Sequence, residues 1–162
     1  METTKIPKVL IALDYNPTAQ KVAEVGYAMA NSMNAEITLI HVITDPVYYS
    51  STVYSPIMGF NGFTEKDPLQ LDISKTLEKT SLVFLEKTKQ HLKNDNIKTL
   101  VIEGDYAEAI LMTAKKLNID IIVMGSHCYR WLEEKAMECV MEKVLNHTTI
   151  PIFIVPTKQI LN

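Results

Sequence analysis

Five short, predominantly apolar runs, separated by longer amphipathic stretches, constrain this chain more than any other feature. They are Val9-Leu-Ile-Ala-Leu13, Glu36 to Ile43 (with Ile37, Leu39, Ile40, Val42 and Ile43), Thr99-Leu-Val-Ile102, Ile121-Ile-Val-Met124 and Pro151-Ile-Phe-Ile-Val155. A strand with one face in water alternates apolar and polar residues. A continuous apolar run suits a strand covered on both faces, the situation of parallel sheets.

The stretches between them carry helical periodicity. Asn16 can cap a first helix with Pro17 at its first position, where a missing N–H costs nothing, and Val22, Val25, Met29 and Met33 recur along one face. Ile73, Leu77, Phe84, Leu85 and Leu92 mark a long second helix from about Leu69 to Asn94. Asp105 followed by Glu108 is a capping-box pattern opening a third, with Ala107, Ile110, Leu111, Ala114 and Leu117 inward. The last helix has the stripe Met137, Val140, Met141, Val144 and Leu145. Residues 45–68, rich in proline and aromatics and without periodicity, read as a long surface excursion between strand 2 and helix 2.

The order β-α-β-loop-α-β-α-β-α-β predicts an α/β fold: one doubly wound, five-stranded parallel sheet with helices on both faces, formed by a single domain over residues 1–162. Ligands in such sheets bind at the carboxyl ends of strands, at the switch point near strands one and four. The fourth run ends there in Gly125-Ser126-His127-Cys128, a turn whose backbone amides suit an anion.

Charge and composition narrow the function classes. A net charge of −3 with scattered basic residues gives no footprint for nucleic acid and no polybasic membrane patch. No apolar run reaches the length of a membrane span, and the first residues lack the apolar core of a signal peptide. Two cysteines, Cys128 and Cys139, are too few for a disulfide scaffold, which makes the reducing cytoplasm the natural location.

In order and spacing, several pieces of the chain resemble the universal stress protein family over essentially its whole length. They are Val9-Leu-Ile-Ala-Leu-Asp14, Ile40-His-Val42, Glu103-Gly-Asp-Tyr-Ala-Glu-Ala-Ile110, Asp120-Ile-Ile-Val-Met-Gly-Ser-His127, Glu142-Lys-Val-Leu145 and Pro151-Ile-Phe-Ile-Val155. The resemblance implies a flavodoxin-like sheet of strand order 3-2-1-4-5, a cytoplasmic stress-associated role, and a homodimer paired through the last strand, with Ile152, Phe153, Ile154 and Val155 as interface candidates. It also implies a nucleotide site, because some members bind ATP through Gly-x-x-Gly, nine residues, then Gly-Ser or Gly-Thr, with an aspartate at the end of strand one. Asp14, Gly125 and Ser126 fit that pattern, and Val42 and His127 lie in matching segments. Cys128 stands where the second glycine belongs, and Glu138-Cys139 where Gly-Ser or Gly-Thr belongs. A side chain at 128 narrows the backbone's approach to a ligand. A carboxylate at 138 opposes a triphosphate by about 1–4 kcal/mol in a screened setting.

Each candidate has a plainer reading. Asp14 can hold a ribose hydroxyl or organise its own turn with Asn16. Gly125 and Ser126 can bind an anion, or Gly125 can end its strand with special dihedrals. Cys128 and Cys139, with His127 and His41 nearby in sequence, invite a zinc or redox reading, but ten intervening residues and no CxxC pair leave the spacing nonspecific, and no metal site is assigned. Cys139 sits beside the apolar stripe of its helix as a small hydrophobe would. His41 on an apolar strand reads as a structural histidine, while His91 and His147 lie near helix C-termini, where positive charge is favourable. No nucleophile elbow, HExxH, Walker lysine or paired-carboxylate motif is present, so no catalytic residue is assigned.

The expected function is a non-catalytic, stress-type homodimer acting by regulation or on a protein partner yet to be identified, with no required cofactor and weak or absent ATP binding. The alternative is a nucleotide-binding protein that takes ATP or another adenosine ligand at the ends of strands one and four. A third reading places redox or metal chemistry at Cys128 and Cys139.

Overall fold

A computed structural model of the chain describes residues 3–44, 68–126 and 139–157. Its elements are β1 (Lys8–Ala12), α1 (Ala19–Ser32), β2 (Glu36–Ile43), α2 (Pro68–Leu92), β3 (Lys98–Glu103), α3 (Tyr106–Lys116), β4 (Ile121–Gly125), α4 (Val140–His147) and β5 (Ile152–Val155). The five strands form one sheet of order β3-β2-β1-β4-β5 with every pairing parallel. This is the doubly wound, 3-2-1-4-5 architecture expected from the sequence. The excursion at 45–68 falls, but for Pro68, outside the described residues.

Alternation along β1 shows why its run had to be continuous. Val9 and Ile11 join the core beneath α1 and α2, whereas Leu10 and Ala12 join the core beneath α3 and α4. Val9, Leu10 and Ile11 are fully buried. The register is pinned at the amino end by Asp120: its N–H donates to the Lys8 carbonyl at 2.8 Å, and its Oδ2 accepts from the Lys8 N–H at 2.9 Å.

Helix α1 corrects the expected stripe. Its buried residues are Ala19, Val22, Ala23, Gly26 and Ala30, while Val25 is 37% exposed and Met29 and Met33 pack only at the margin. Small residues face the sheet because the helix lies close to it. A Cβ on Gly26 would come within 2.9 Å of Val123 Cγ1 and 3.1 Å of Ile11 Cδ1. The helix also starts later than Asn16 and Pro17 suggested. Asn16 Oδ1 accepts from the Thr18 N–H at 3.0 Å and the Thr18 hydroxyl at 2.7 Å, which organises an entry turn, and regular helix begins at Ala19.

Helix α3 is capped as its sequence predicts, with the Asp105 carboxylate accepting from the Glu108 N–H at 3.0 Å. Lys143 of α4 reaches the same carboxylate at 3.2 Å. The expected inward face holds for Ala107, Ile110 and Ala114, with Leu111 and Leu117 partly buried and Ala109 and Thr113 added. In α4, Val144 is fully buried but Leu145 is 51% exposed, so the stripe is narrower than expected; Met137 lies outside the described residues.

Helices α1, α2 and α3 each end in a residue with left-handed backbone: Asn34 (φ 52°), Lys93 (φ 54°) and Asn118 (φ 53°). After α3, the Asn118 N–H bonds Lys115 O and the Ile119 N–H bonds Ala114 O. This is the paired 5→2 and 6→1 closure that satisfies a helix's last carbonyls.

Candidate functional site

The carboxyl ends of β1 and β4 are neighbours, because Ile11 pairs with Val123. A small cleft of about 60 Å³, partly open to solvent, lies just beyond them. Its walls come from the β1 exit (Ala12, Leu13, Asp14), the start of α1 (Thr18, Ala19, Val22), Tyr106 of α3, Met124 and Gly125 of β4, and Val140 and Met141 of α4. Its lining is mostly apolar. It lies at the predicted switch point.

Asp14 is half-buried at the mouth of the cleft. Its Oδ1 accepts from the Asn16 N–H at 3.0 Å, which starts the run of side-chain-to-backbone bonds that Asn16 continues to Thr18. Asp14 therefore performs the turn-organising role and borders the cleft as well.

Gly125 and Ser126 depart from expectation. Gly125 does not have positive φ. It is required by crowding: a Cβ there would meet Val22 Cγ2 at 2.9 Å and Thr157 Cγ2 at 3.1 Å. The special dihedrals expected at this strand end are absent, and the glycine serves a close approach between α1, β4 and the segment leaving β5. The Ser126 N–H donates to Val155 O at 3.0 Å. Its hydroxyl oxygen accepts from the Thr157 N–H at 3.0 Å and lies 3.2 Å from Thr157 Oγ1. Lys21 of α1 secures the same segment, donating to Pro156 O at 2.8 Å. The turn is closed by the chain's own β5 exit.

Val42 is buried in the core under α3 and α4 and is not a wall of the cleft. His127, Cys128 and Glu138 lie outside the described residues. Cys139, immediately before α4, is half-buried. Among the described residues no group of three or more His, Cys, Asp or Glu side chains is arranged to hold a metal ion.

His41 sits on the opposite face of the sheet, buried with Tyr15 and Phe84 around it, at ring-centroid distances of 4.4 Å and 5.9 Å. Its Nδ1 lies 2.8 Å from the Leu13 carbonyl, an acceptor, so Nδ1 carries the hydrogen. Nε2 is buried without a partner among the described residues. Burial lowers its pKa below the ordinary value, opposed by the Leu13 hydrogen bond and the Asp14 charge. His41 is a neutral structural residue that locks β2 to the β1 exit. His91 pairs with Glu24 across α2 and α1 at 2.7 Å, and His147 Nδ1 bonds Lys143 O at 2.8 Å.

Sequence reasoning missed Thr18, Tyr106, Val140 and Met141 as cleft walls, and Thr157 as the partner of Ser126. Tyr106 was signalled by its place after the Asp105 cap. Thr157 had no local signal, since its role arises only when β5 pairs with β4.

A model of the universal stress protein family matches residues 5–156. The chain is 25% identical over 155 residues to universal stress protein MJ0577 of Methanocaldococcus jannaschii, covering 94% of this chain and 96% of that protein. Its fold is similar to that of universal stress protein UspA from Lactobacillus plantarum, with TM-score 0.71, 17% identity, and coverage of 93% of this chain and 98% of that one. It is also similar to a universal stress protein solved in complex with cAMP, with TM-score 0.62, 14% identity and coverage of 94% and 98%.

Proposed function

Because the chain belongs to the universal stress protein family, we propose that it works in stress response as a non-catalytic cytoplasmic homodimer. It acts by regulation or on a protein partner, with weak or absent ATP binding. Family membership supports the stress-response role. The observation that supports weak ATP binding is Ser126: its N–H donates to Val155 O and its hydroxyl oxygen accepts from the Thr157 N–H, so the turn is tied to the chain's own β5 exit. Cys128 and Glu138-Cys139, standing where glycine and Gly-Ser are called for, favour the same reading.

Pairing through β5 is supported by its place at the sheet edge, where one side of the strand is bonded to β4. Phe153 and Ile154 are each 37% exposed there, whereas Val155 is buried in the protomer core and Ile152 packs against the α3/α4 core. An apolar edge strand invites pairing, and a two-fold copy would satisfy its open backbone groups.

The second reading, an adenosine-nucleotide site at the ends of β1 and β4, is favoured by the cleft beside Asp14 and by likeness to a fold solved with cAMP. Calorimetry with ATP and magnesium separates the two. No binding in the low micromolar range is expected, and tight stoichiometric binding would overturn the first reading. Sedimentation tests assembly: a dimer is expected for the native chain, shifting to monomer when Phe153→Asp and Ile154→Asp are combined. A native monomer at high micromolar concentration would remove the homodimer.

A further inference from the structure

We infer that a recess at the opposite edge of the sheet, where β1, β2 and β3 begin, binds a single protonated phosphate group between Lys8, Thr38, Lys98 and Glu36. This goes beyond the reading above, and the recess shares no residue with the cleft at the β1 and β4 exits.

The strand registers build the recess. Lys8 pairs with Glu36 across β1 and β2, and Thr38 pairs with Lys98 across β2 and β3. Side chains two apart on a strand share a face. Lys8 is therefore on the side of Leu10, Glu36 and Thr38 on the side of Ile40, and Lys98 on the side of Leu100, all packed in the α3/α4 core. Four polar side chains rise together where that core ends, and Leu117 and Ile119, in the turn leaving α3, form the apolar wall. The space is about 60 Å³, on the scale of one small ion and far below that of a drug-sized ligand site. The strand starts and helix ends that meet at this edge lie within the described residues.

Thr38 is the observation that asks for a ligand. It is 6% exposed, yet its hydroxyl has no hydrogen-bond partner among the described residues. A hydroxyl taken from water without a partner costs stability. His41, the other buried polar residue of β2, is explained by its bond to Leu13. Thr38 serves no such contact and borders the recess.

The charges around Thr38 differ in commitment. Glu36 is bonded to Lys98, and that bond, with the charges of Lys98 and Lys8, holds its carboxyl below the usual range against the cost of desolvation. Lys5 pairs with Asp120 at 2.8 Å. The charge of Lys8 acts on both Glu36 and Asp120, but among the described residues its ammonium forms an ion pair with neither. An anion entering the recess therefore meets two ammonium groups, one of them unpaired, and a hydroxyl donor. It also meets a carboxylate, which selects among anions. Near neutral pH inorganic phosphate retains a proton that it can donate to Glu36. Sulfate has none and would set acceptor against acceptor. Three donors and one acceptor match a protonated oxyanion.

The test is calorimetry of the full chain with inorganic phosphate, methyl phosphate and sulfate at matched ionic strength and mildly acidic pH, where both phosphates keep a proton. Phosphate should bind saturably at millimolar concentration or below, at least about tenfold more tightly than sulfate. Lys8→Gln and Thr38→Val should each weaken phosphate by about tenfold, as loss of a hydrogen bond to a charged group does. Thr38→Val exchanges the unpartnered hydroxyl for a methyl, so its urea midpoint should not fall below that of the native chain. Glu36→Gln should abolish the preference over sulfate. Methyl phosphate binding as well as phosphate assigns the recess to the head group of a phosphomonoester, and weaker binding assigns it to the free ion. Absence of saturable phosphate binding overturns the inference, as does sulfate binding as tightly as phosphate. Phosphate binding unmoved by Lys8→Gln and Thr38→Val overturns it too, by placing the ion elsewhere. None of these failures touches ATP binding at the cleft or the dimer.

Discussion

The β1 exit and the β4 exit lie side by side at the same sheet edge, yet they are finished differently. At β1 the chain turns away through Asp14, Asn16 and Thr18, each satisfied locally, and leaves an open cleft in front of the strand. At β4 the turn is satisfied over a long sequence distance: Ser126 is bonded to Val155 and Thr157, and Gly125 is packed under Val22. A locally closed turn can face a ligand without losing its own support. A turn closed by a distant segment has committed its donors to the fold. One strand end is left facing the cleft, and the other has committed its polar groups to holding β5 in place.

That contrast can be broken by substitution. The largest effect is expected from Gly125→Ala, whose added methyl must displace Val22 or Thr157. Destabilisation of about 1–3 kcal/mol should appear in urea denaturation, and a neutral result would show that the β4 turn is not tightly packed. Next is the pH response of His41, which buttresses the β1 exit. Its folded pKa is depressed by burial, so below about pH 6.5 the unfolded chain takes up the proton first. Stability should then fall as pH decreases from that point, by at most about 1.4 kcal/mol per unit, and level off once folded His41 is itself protonated. His41→Gln should abolish that slope in denaturation curves taken from pH 7 to pH 5.

Ser126→Ala should cost about 1 kcal/mol through its contact with Thr157, and should speed amide hydrogen exchange at Thr157. Slow exchange at Thr157 in that variant would mean that the β5 exit is held by other bonds. Smallest is Asp14→Asn, expected within about 0.5 kcal/mol of the native chain because its acceptor oxygen is retained. A larger loss would give the β1 exit the same structural dependence as the β4 exit and erase the difference.

The sheet was legible because burial on both faces writes itself as continuous apolar residues. Val9–Leu13 and Ile121–Met124 needed no further information to be read as strands. The helix faces were less so. Val25 and Leu145 are large and apolar but exposed, whereas Ala23, Gly26 and Ala30 face the sheet: proximity selects small side chains, and a pattern weighted by hydrophobicity overlooks them. At the site, Asp14 and Gly125 were identified from position, but the reason for Gly125 was hidden, since it depends on Thr157, 32 positions away.

The register of the central strand also sets a clock. Val9 pairs with Ile37 on one side and Ile121 on the other, so its second neighbour is synthesised 112 residues after it. At about 5–20 residues per second, β1 waits roughly 6–22 s on the ribosome with one apolar edge uncovered. The amino-terminal β1-α1-β2 unit can form as it emerges, but the sheet closes only when β4 arrives. Whatever this protein does under stress, its own nascent chain passes through an interval in which the hydrophobic strand at its centre is accessible to chaperones and to aggregation.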